Sequence, residues 1–552
     1  MRGSPPGSVL GPAARAEGLA VLAKSQLDVL VVGGGVTGAG IALDAVTRGL
    51  SVALVEQHDF AWGTSSRSSK LIHGGLRYVE QRNFGLVREA LHERRLLLTR
   101  IAPHLVCPVP FLLPIRHRWE RGYLGAGVAL YDGLGGLHPE MPRHRHLGRR
   151  ATLAAAPALR EDGLLGAIRY FDAKTDDARL ALSLLRTALA HGATAVSGAE
   201  VTAFLGGSRI EGVRLRDVET DDAFDVRAKV TVLAAGVWTR ELEALAGVAD
   251  PIAIRASKGV HLLVPRERLE LSDALIVRAE RSVLLVIPWG EHWLIGTTDT
   301  PWPLGSDRPT ATADDIAYLL GHVNEVLRRP LTRGDVTGVF AGLRPLIDSG
   351  AVDTAKISRE HVVREPRPGL VSIAGGKLTT YRVMAEDAVE AAARQLGIRV
   401  DPSRTEELPL VGAEGLDVAR AELARAEVAL VVAERLLSRY GALAPEVAAL
   451  AAADPALGAS LPDAAPYLGA EIAYAVSHEG ARRLEDVLVR RTRISIEAHD
   501  RGRSAAPAVA KLMAKQLGWS TRRVRDEVAA YLRSLDAELA AEAGACEGFV
   551  AA

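Results

Sequence analysis

Near its N-terminal end, the chain groups its apolar residues in the pattern of a β–α–β unit. Leu27–Val32 is a short apolar run, which predicts a buried parallel strand. Val36–Arg48 is small and apolar and ends at Gly49, so it predicts a helix, and Ser51–Glu56 predicts the next strand. The three elements predict the first part of an α/β sheet.

The middle of the chain alternates between helical and strand-like patterns. An amphipathic helix is predicted from Phe84 onward, and another helix over Asp176–His191. Residues 105–150 are rich in Pro, Gly and Arg and predict irregular structure. Lys229–Thr239 predicts a buried strand followed by a turn.

Strand-like runs dominate residues 251–300, and helical patterns dominate the C-terminal part. The runs GVHLLVP, SVLLVIPW and HWLIGTTD suit an antiparallel sheet. Leu370–Gly376 predicts one more buried strand, which leads into a helix at Leu378. From about residue 410, Ala, Leu, Arg and Glu prevail and predict a separate helical domain.

Composition and charge restrict the classes of function. Lys plus Arg and Asp plus Glu both number 67, and this absence of a basic excess argues against a nucleic-acid partner. The two cysteines, Cys107 and Cys546, have neither metal-ligand spacing nor a disulfide framework. A reducing cytoplasm is therefore expected, with Cys107 as a buried structural thiol.

Two features concern the N-terminus and the membrane. Residues 1–25 carry Pro, Gly and Ser without the apolar core of a signal peptide, and they predict a flexible leader. The chain has no uncharged apolar stretch of about 18 residues, so no transmembrane helix is predicted. Any membrane contact is expected to be peripheral.

The glycines after the first strand form a dinucleotide-binding fingerprint. Gly33, Gly35 and Gly38 fit GxGxxG between a strand and a helix, where they permit a tight turn, close approach of a pyrophosphate and helix–strand packing. Glu56 ends the second strand, near the position of the acid that binds a ribose hydroxyl. The fingerprint does not choose between NAD and FAD.

Two later segments favour FAD. Ala234–Thr239, which contains Ala235 and Gly236, and Ala374–Thr380, which contains Gly376, both have the pattern of strand ends that turn towards a ligand. In a doubly wound sheet the ligand lies outside the carboxyl ends of the strands. A nucleotide domain that begins near the N-terminus and regains its sheet later is typical of FAD binding.

Several longer motifs resemble the family of FAD-dependent, quinone-linked glycerol-3-phosphate dehydrogenases. They occur in the family's order: SSKLIHGGLRY (Ser68–Tyr78), SKGVHLLVP (Ser257–Pro265), LIGTTD (Leu294–Asp299), AGLRPL (Ala341–Leu346), AGGKLTTYR (Ala374–Arg382) and YAVSHEGARRLEDVLVRRTRI (Tyr474–Ile494). The resemblance covers about residues 26–535 and is far more specific than the glycine fingerprint alone.

The resemblance implies an α/β fold in which a Rossmann-like FAD-binding domain is joined to an antiparallel-sheet substrate domain and a helical C-terminal domain. After the leader over 1–25, the expected FAD-binding segments are 26–105, 171–250 and 336–400, the substrate segments are 106–170 and 251–335, and the helical domain is 401–552. The reaction implied is oxidation of sn-glycerol 3-phosphate to dihydroxyacetone phosphate, with electrons passing to a membrane quinone.

Candidate substrate residues lie in the motifs that match the family. Arg77, Arg359 and Lys377 are expected to bind the phosphate, with the Tyr78 hydroxyl beside them. Arg344 is a catalytic candidate, expected to contact the phosphate or the alkoxide. His261 is the candidate general base, because an imidazole titrates near neutral pH. An arginine that stabilises the alkoxide is the alternative. Thr297 and Thr298 either line the pocket or are ordinary strand-end threonines.

Candidate cofactor residues lie in two loops. Ser68, Ser69 and Lys70 follow the second strand and are expected to contact the pyrophosphate or the ribityl chain. Backbone N–H groups of Lys377, Leu378 and Thr379 open a helix and are expected to face the flavin N1 and C2=O.

The sequence leaves the electron acceptor open. The expected partners are sn-glycerol 3-phosphate, a quinone and the inner face of the cell membrane, and the alternative is a soluble glycerol-3-phosphate oxidase that uses oxygen. A different amine or hydroxy-acid oxidase and a flavin protein without turnover fit the motifs less well. The oligomeric state also stays open, with a homodimer among the arrangements considered.

The expected membrane contact lies between Pro108 and Arg150. Its runs FLLP and GYLGAGVALYDGLGGL supply apolar surface, and four arginines supply charge: Arg143, Arg145, Arg149 and Arg150. The alternative is a structured loop of the substrate domain with solvated arginines.

Overall fold

Two β-sheets and a helical C-terminal region make up the protein. The computed structural model describes residues 4–5, 7–136, 139–278, 283–303, 308–348 and 360–544, apart from the side chain of Arg77. The following statements concern these residues.

The strands are β1 (Gln26–Val32), β2 (Val52–Glu56), β3 (Leu71–Ile72), β4 (Cys107–Ile115), β5 (Arg145–Gly148), β6 (Gly166–Lys174), β7 (Thr194–Ser197), β8 (Ala199–Leu205), β9 (Gly212–Asp217), β10 (Ala223–Leu233), β11 (Ile254–Pro265), β12 (Ala274–Arg278), β13 (Val283–Trp289), β14 (His292–Gly296), β15 (Thr300–Trp302), β16 (Gly338–Ile347), β17 (His361–Arg367) and β18 (Leu370–Gly375).

The helices are α1 (Pro12–Lys24), α2 (Val36–Thr47), α3 (Arg77–Glu80), α4 (Phe84–Leu96), α5 (Arg118–Gly135), α6 (Arg149–Ala155), α7 (Asp177–Ala190), α8 (Thr239–Leu245), α9 (Ala313–Asn324), α10 (Tyr381–Leu396), α11 (Leu416–Arg425), α12 (Leu430–Tyr440), α13 (Ala444–Ala453), α14 (Pro455–Gly458), α15 (Gly469–His478), α16 (Ile494–Glu497), α17 (Ala506–Leu517) and α18 (Thr521–Ala543).

The first sheet is doubly wound, with the order β17-β18-β10-β1-β2-β7, and β8 and β9 continue from β10. Strands β18, β10, β1, β2 and β7 run parallel, as the continuous apolar runs predict. Apolar residues of α2, α7 and α10 cover one face of this sheet, and α1 packs on the other through Leu22. Parallel strands are stable only when both faces are covered in this way.

The second sheet has the order β15-β11-β14-β13-β12-β4-β6-β3, with β16 paired to β11 and β5 paired to β6. Its pairs are antiparallel except for β12 with β4. Helix α9 packs against one face, and α4 and α5 pack against the other. The predicted α/β fold class with an antiparallel-sheet domain is confirmed.

The helical region beyond residue 410 is joined to the first sheet through buried ion pairs. Arg491 Nη1 lies 2.7 Å from Asp59 Oδ2, and Arg179 Nη1 lies 2.9 Å from Glu479 Oε2. Buried charges of this kind are tolerated because each has an opposite partner. None of the helices in the described part of the chain combines the length and apolar character needed to span a bilayer.

Four predictions about local structure need correction. Residues 12–24 of the expected flexible leader form α1, because Leu22 is buried on the sheet and Arg15 pairs with Asp217 at 2.7 Å. The region 105–150, expected to be irregular, contains β4 and α5, whose apolar positions are covered by neighbouring elements. Cys107, expected to be buried, is exposed at the start of β4.

The fourth correction concerns the segments assigned to each sheet. Strand β16 lies in the expected third FAD-binding segment, yet it pairs along its whole length with β11 in the second sheet. Strand β6 likewise continues past residue 170 in the second sheet. Strand pairing is a tertiary property, so apolar patterns predict the strand but not its sheet.

Candidate active site

A cavity of about 1270 Å³ lies between the two sheets. Its floor is formed by the carboxyl ends of β1, β2, β10 and β18, and its other wall by β11, β16 and the residues Thr297–Asp299 that follow β14. The carboxyl edge of a doubly wound sheet is the usual position of a bound nucleotide. The volume also lies above the range typical of a drug-sized ligand, so a cofactor and a substrate both fit.

The glycine loop forms one end of this cavity, and its backbone explains the glycines. Gly33 has φ of +118°, and a Cβ there would lie 2.5 Å from the Ala234 carbonyl oxygen. A Cβ on Gly38 would lie 1.9 Å from the Gly33 oxygen, so Gly38 is needed for close packing. A Cβ on Gly35 would meet only Ser65 Oγ, at 3.1 Å. Gly35 therefore leaves the cavity open beside the first turn of α2, as a phosphate site requires.

Glu56 is held at the end of β2 by backbone donors. Its Oε2 accepts from Gly34 N at 2.7 Å and its Oε1 accepts from His58 N at 2.8 Å. Desolvation raises the pKa of the Glu56 carboxyl above its usual value, and these two hydrogen bonds oppose that shift. The carboxylate lies on the cavity wall at the position expected for a ribose contact.

Ser65 is a site residue that the sequence patterns did not single out. Its Oγ accepts from Val36 N at 2.9 Å, at the start of α2, and it lines the cavity. The serine-rich stretch just before Ser68 was the available signal. Trp62 and Trp238 also line the cavity, with ring centroids 5.5 Å apart.

Three site positions of the second sheet lie on the same face of strand β11. Ser257, Gly259 and His261 project to the same side of the strand, because side chains alternate with period two. A Cβ on Gly259 would lie 2.6 Å from Arg344 Nη2, so this glycine makes room for the guanidinium. A Cβ on Gly296 would lie 2.2 Å from His261 Cδ2, so that glycine makes room for the imidazole.

His261 is 2% exposed and has one nitrogen engaged. Its Nε2 lies 2.8 Å from Ser69 Oγ, while its Nδ1 has no hydrogen-bond partner among the described residues. The ring stacks on Phe340 with centroids 4.8 Å apart. Burial holds the pKa of His261 well below its usual value, and the positive charges of Arg344 and Lys70 add to this effect. The imidazole is therefore neutral at neutral pH.

Arg344 reaches the cavity from β16, where it is paired with Ser257 of β11. Its Nη2 donates to Thr297 Oγ1 at 3.1 Å, its Nη1 donates to the Thr298 carbonyl at 3.2 Å, and Asp299 Oδ1 lies 3.7 Å away. Ser257 and Asp299 were not singled out from the sequence, and Ser257 Oγ donates to Asp299 Oδ1. Both threonines line the cavity.

Lys377 and Tyr78 meet on the opposite wall. The Lys377 ammonium lies 3.8 Å from the centre of the Tyr78 ring, which is a close cation–π contact. Of the remaining candidates for the phosphate clamp, Arg359 and the side chain of Arg77 lie outside the described part of the molecule.

The predicted cofactor residues mostly line the cavity. Thr379 Oγ1 accepts from His73 N at 3.0 Å, which joins the loop after β18 to the loop after β3. The predicted members found in the lining are Gly33, Gly35, Glu56, Ser68, Ser69, Ala235, Gly236, Gly376, Lys377, Leu378 and Thr379. Sequence reasoning had not singled out His73, which also lines it.

Lys70 is an exception. It does not contribute to the described lining of the cavity, and its ammonium lies 2.8 Å from Asp177 Oδ1 and 3.2 Å from the Ser66 carbonyl oxygen. The side chain is fully buried in this contact. The predicted cofactor contact of Lys70 is therefore corrected to an internal ion pair, which only the tertiary structure could show.

Comparisons with known proteins agree with this geometry. Residues 28–382 match the family described as "FAD dependent oxidoreductase", and residues 403–524 match the "C-terminal domain of alpha-glycerophosphate oxidase". The chain is 51% identical to glycerol-3-phosphate dehydrogenase 2 of Mycobacterium tuberculosis over 98% of this chain and 93% of that protein. It is 37% identical to the human mitochondrial glycerol-3-phosphate dehydrogenase over 94% of this chain and 74% of that protein.

A solved structure extends the comparison to the fold. The X-ray structure of glycerol-3-phosphate dehydrogenase from Bacillus halodurans, complexed with FAD, matches with a TM-score of 0.79 and 30% identity. The match covers 98% of this chain and 100% of that chain. The glycine loop, the cavity and these similarities lead to one conclusion: the chain belongs to the family of FAD-dependent glycerol-3-phosphate dehydrogenases.

Proposed function

We propose that the protein oxidises sn-glycerol 3-phosphate to dihydroxyacetone phosphate and passes the electrons to a membrane quinone. The observation that carries the proposal is the Nδ1 atom of His261, which has no hydrogen-bond partner among the described residues. The imidazole is neutral, and His261 lines one cavity with Arg344 and Lys377. A buried polar atom without a partner is costly, and a substrate hydroxyl would satisfy it.

FAD, when bound, supplies the acceptor for the hydride that leaves the alcohol carbon. The residues that would hold it are the glycine loop at Gly33–Gly38, Glu56, Ser65 and the backbone at Leu378–Thr379. We propose that the first sheet with its helices is the FAD-binding part and that the second sheet supplies the substrate-binding part, with β16 moved to the second.

His261 is proposed to take the hydroxyl proton. Because burial keeps its imidazole neutral, Nδ1 can accept that proton as the C–H bond is broken. Arg344 then stabilises the negative charge that develops on the alcohol oxygen. The positive charge of Arg344 also lowers the pKa of His261. Arg344 therefore helps to keep the imidazole neutral, and His261 removes the proton.

The phosphate is proposed to bind beside Lys377 and Tyr78. The Lys377 ammonium is a point charge, and its position over the ring restricts its direction. Arg77 and Arg359 complete the clamp as predictions from the family motifs. A clamped phosphate presents a single carbon to the cofactor, which is the positioning that the reaction requires.

The quinone and the membrane are proposed to meet the protein at α5. This helix lines the cavity with Tyr123, Leu124 and Val128, and it exposes Trp119 (64%) and Tyr123 (57%) to solvent. An apolar wall therefore runs from the cavity to exposed aromatic side chains. Aromatic rings of this kind anchor proteins at the lipid interface. Exposed arginines nearby, at Arg143 and Arg145, add attraction to anionic lipid.

The first test is spectroscopic. Adding glycerol 3-phosphate to the purified protein without oxygen should bleach the flavin absorbance, and dihydroxyacetone phosphate should form in equal amount. An unchanged spectrum with FAD bound would refute the proposed substrate.

The second test distinguishes quinone from oxygen as the electron acceptor and checks the proposed membrane-binding surface on α5. Trp119→Ser with Tyr123→Ser should weaken co-sedimentation with anionic liposomes and slow quinone reduction, while dye reduction is unchanged. The matched control is Leu430→Ser with Val431→Ser, two residues of α12 that are 74% and 78% exposed. A protein that ignores liposomes and makes stoichiometric peroxide would instead be the soluble oxidase.

A further inference from the structure

We propose that Ser69 is a positioning residue that fixes the tautomer of His261, and that Asp177 holds Ser69 in place for this task. The inference rests on the proposed role of His261 as the base. It assigns Ser69 to the imidazole, whereas the sequence suggested a cofactor contact.

The hydrogen bonds of His261 carry the assignment. A neutral imidazole has one N–H and one lone pair, and the partner of one nitrogen decides which atom is which. Ser69 Oγ is the partner of Nε2, at 2.8 Å, and Nδ1 is left without one among the described residues. If Nδ1 is the base, Nε2 must carry the hydrogen and Ser69 must accept it.

The turn that carries Ser69 is fixed by a single buried carboxylate. Asp177 Oδ2 accepts from Ser68 N at 2.9 Å and from Ser68 Oγ at 2.7 Å. Its Oδ1 accepts from the Lys70 ammonium at 2.8 Å. Asp177 therefore binds the residues on both sides of Ser69.

The backbone of the turn needs this support. Lys70 has φ of +59°, a left-handed conformation that is unfavourable for a residue with a side chain. Such a conformation persists only where its surroundings hold it. Here the Lys70 ammonium is held by its ion pair with Asp177 and by its hydrogen bond to the Ser66 carbonyl oxygen.

The helical C-terminal region reinforces the same point. Arg493 Nη2 lies 2.6 Å from Asp177 Oδ1, and its Nη1 donates to the Ser66 carbonyl oxygen at 3.1 Å. Arg493 thus shares both acceptors with Lys70. The Lys70 ammonium also lies 5.1 Å from the centre of the Phe340 ring, which stacks on His261. The buried charges of Lys70, Asp177 and Arg493 are therefore linked to the surroundings of His261 in two ways, through Ser69 and through Phe340.

The experiment compares two serines that each contact a histidine. Ser69→Ala removes the acceptor for His261, and Ser477→Ala removes the contact between Ser477 Oγ and His478 Nδ1, which are 2.6 Å apart and outside the described lining of the cavity. Single-turnover reduction of the flavin by glycerol 3-phosphate is followed in the FAD-loaded protein from pH 5 to pH 8. It yields the reduction rate and the substrate Kd.

Ser69→Ala should lower the plateau reduction rate at least tenfold and change the Kd less than twofold. Ser69→Thr, which keeps the hydroxyl, should recover most of the rate, and Ser477→Ala should match the wild type. The acid limb of the rate profile should not move to higher pH, because an accepting Ser69 favours the imidazolium. FAD content and the thermal midpoint report whether each variant folds.

Two results would overturn the inference. One is a Ser69→Ala rate within threefold of the wild type, and the other is an acid limb that moves to higher pH, since it would mean that Ser69 donates to Nε2. If Ser69→Ala loses FAD, Ser69→Cys and Ser68→Ala are measured against the same limits. A wild-type flavin that glycerol 3-phosphate does not reduce would overturn the proposed function as well.

Discussion

Replacing Gly259 by alanine adds one methyl group at the point where the Arg344 side chain crosses strand β11. The new Cβ would lie 2.6 Å from Arg344 Nη2, 2.6 Å from Thr297 Oγ1 and 2.9 Å from Arg344 Cζ. Gly259 itself lies in regular strand backbone, so alanine adds no strain in φ. The perturbation therefore falls on the Arg344 guanidinium and on the Thr297 hydroxyl to which it donates.

The displacement can be estimated from the same distances. Ordinary van der Waals contact begins at 3.4 Å, so the guanidinium must move by about 0.8 Å. The end of an arginine side chain moves easily, and we expect the free energy of unfolding to change by less than about 1 kcal/mol. A catalytic group misplaced by about 1 Å costs up to roughly 100-fold in rate. We therefore expect kcat/KM to fall about 30- to 100-fold, or roughly 2–3 kcal/mol.

The assay is dye-linked oxidation of glycerol 3-phosphate, with FAD content and thermal unfolding measured alongside. The matched control is Gly321→Ala in α9 of the same domain, where an added Cβ meets nothing within 4 Å. This control should keep full activity and gain up to about 1 kcal/mol of stability from helix propensity.

A double-mutant cycle identifies the cause. In an Arg344→Ala background no guanidinium remains to be displaced, so Gly259→Ala should cost less than about threefold there. Full activity of Gly259→Ala alone would refute the reasoning. So would an equal loss in both backgrounds, because the effect would then not pass through Arg344.

Three further predictions follow from named contacts. Arg344→Ala should lose at least about 100-fold in kcat while keeping FAD, and Arg344→Lys should recover little because an ammonium cannot replace the fork; steady-state kinetics test both. Gly38→Ala should lose FAD and at least about 2 kcal/mol of stability, because the added Cβ would lie 1.9 Å from a backbone oxygen. FAD content is measured after gel filtration, and a variant that keeps its full FAD would contradict this prediction. Burial lowers the pKa of His104 from 6.5 to about 3. The unfolded chain therefore binds a proton that the native protein does not, and stability falls by at most about 1.4 kcal/mol per pH unit as the pH drops below about 6.5. His104→Gln should reduce that slope in urea unfolding at pH 7 and pH 5.5, and an unchanged slope would exclude His104 as a source.

The local features of the fold could be predicted from the sequence. The strand at Leu27–Val32, the glycine loop and the helix at Val36 each depend on residues that are close in sequence. The spacing of apolar residues and the positions of the glycines are therefore enough to predict them. Within β11, the period-two alternation of a strand places Ser257, Gly259 and His261 on one face. The family motifs then predicted the cofactor.

The contacts of the site were decided only by the tertiary structure. The register of β16 on β11 places Arg344 against Gly259, and no local pattern reports the pairing of strands so distant in the chain. Lys70 was predicted as a cofactor contact because it lies in the loop after the second strand. Burial beside Asp177 and Arg493 instead makes it half of an ion pair. The sequence predicted the elements whose apolar spacing is regular, such as the strand at Leu27–Val32 and the helix at Val36, because that spacing is a local property. Which charges meet depends on packing between distant segments, because a buried ion must find its partner wherever the fold brings one.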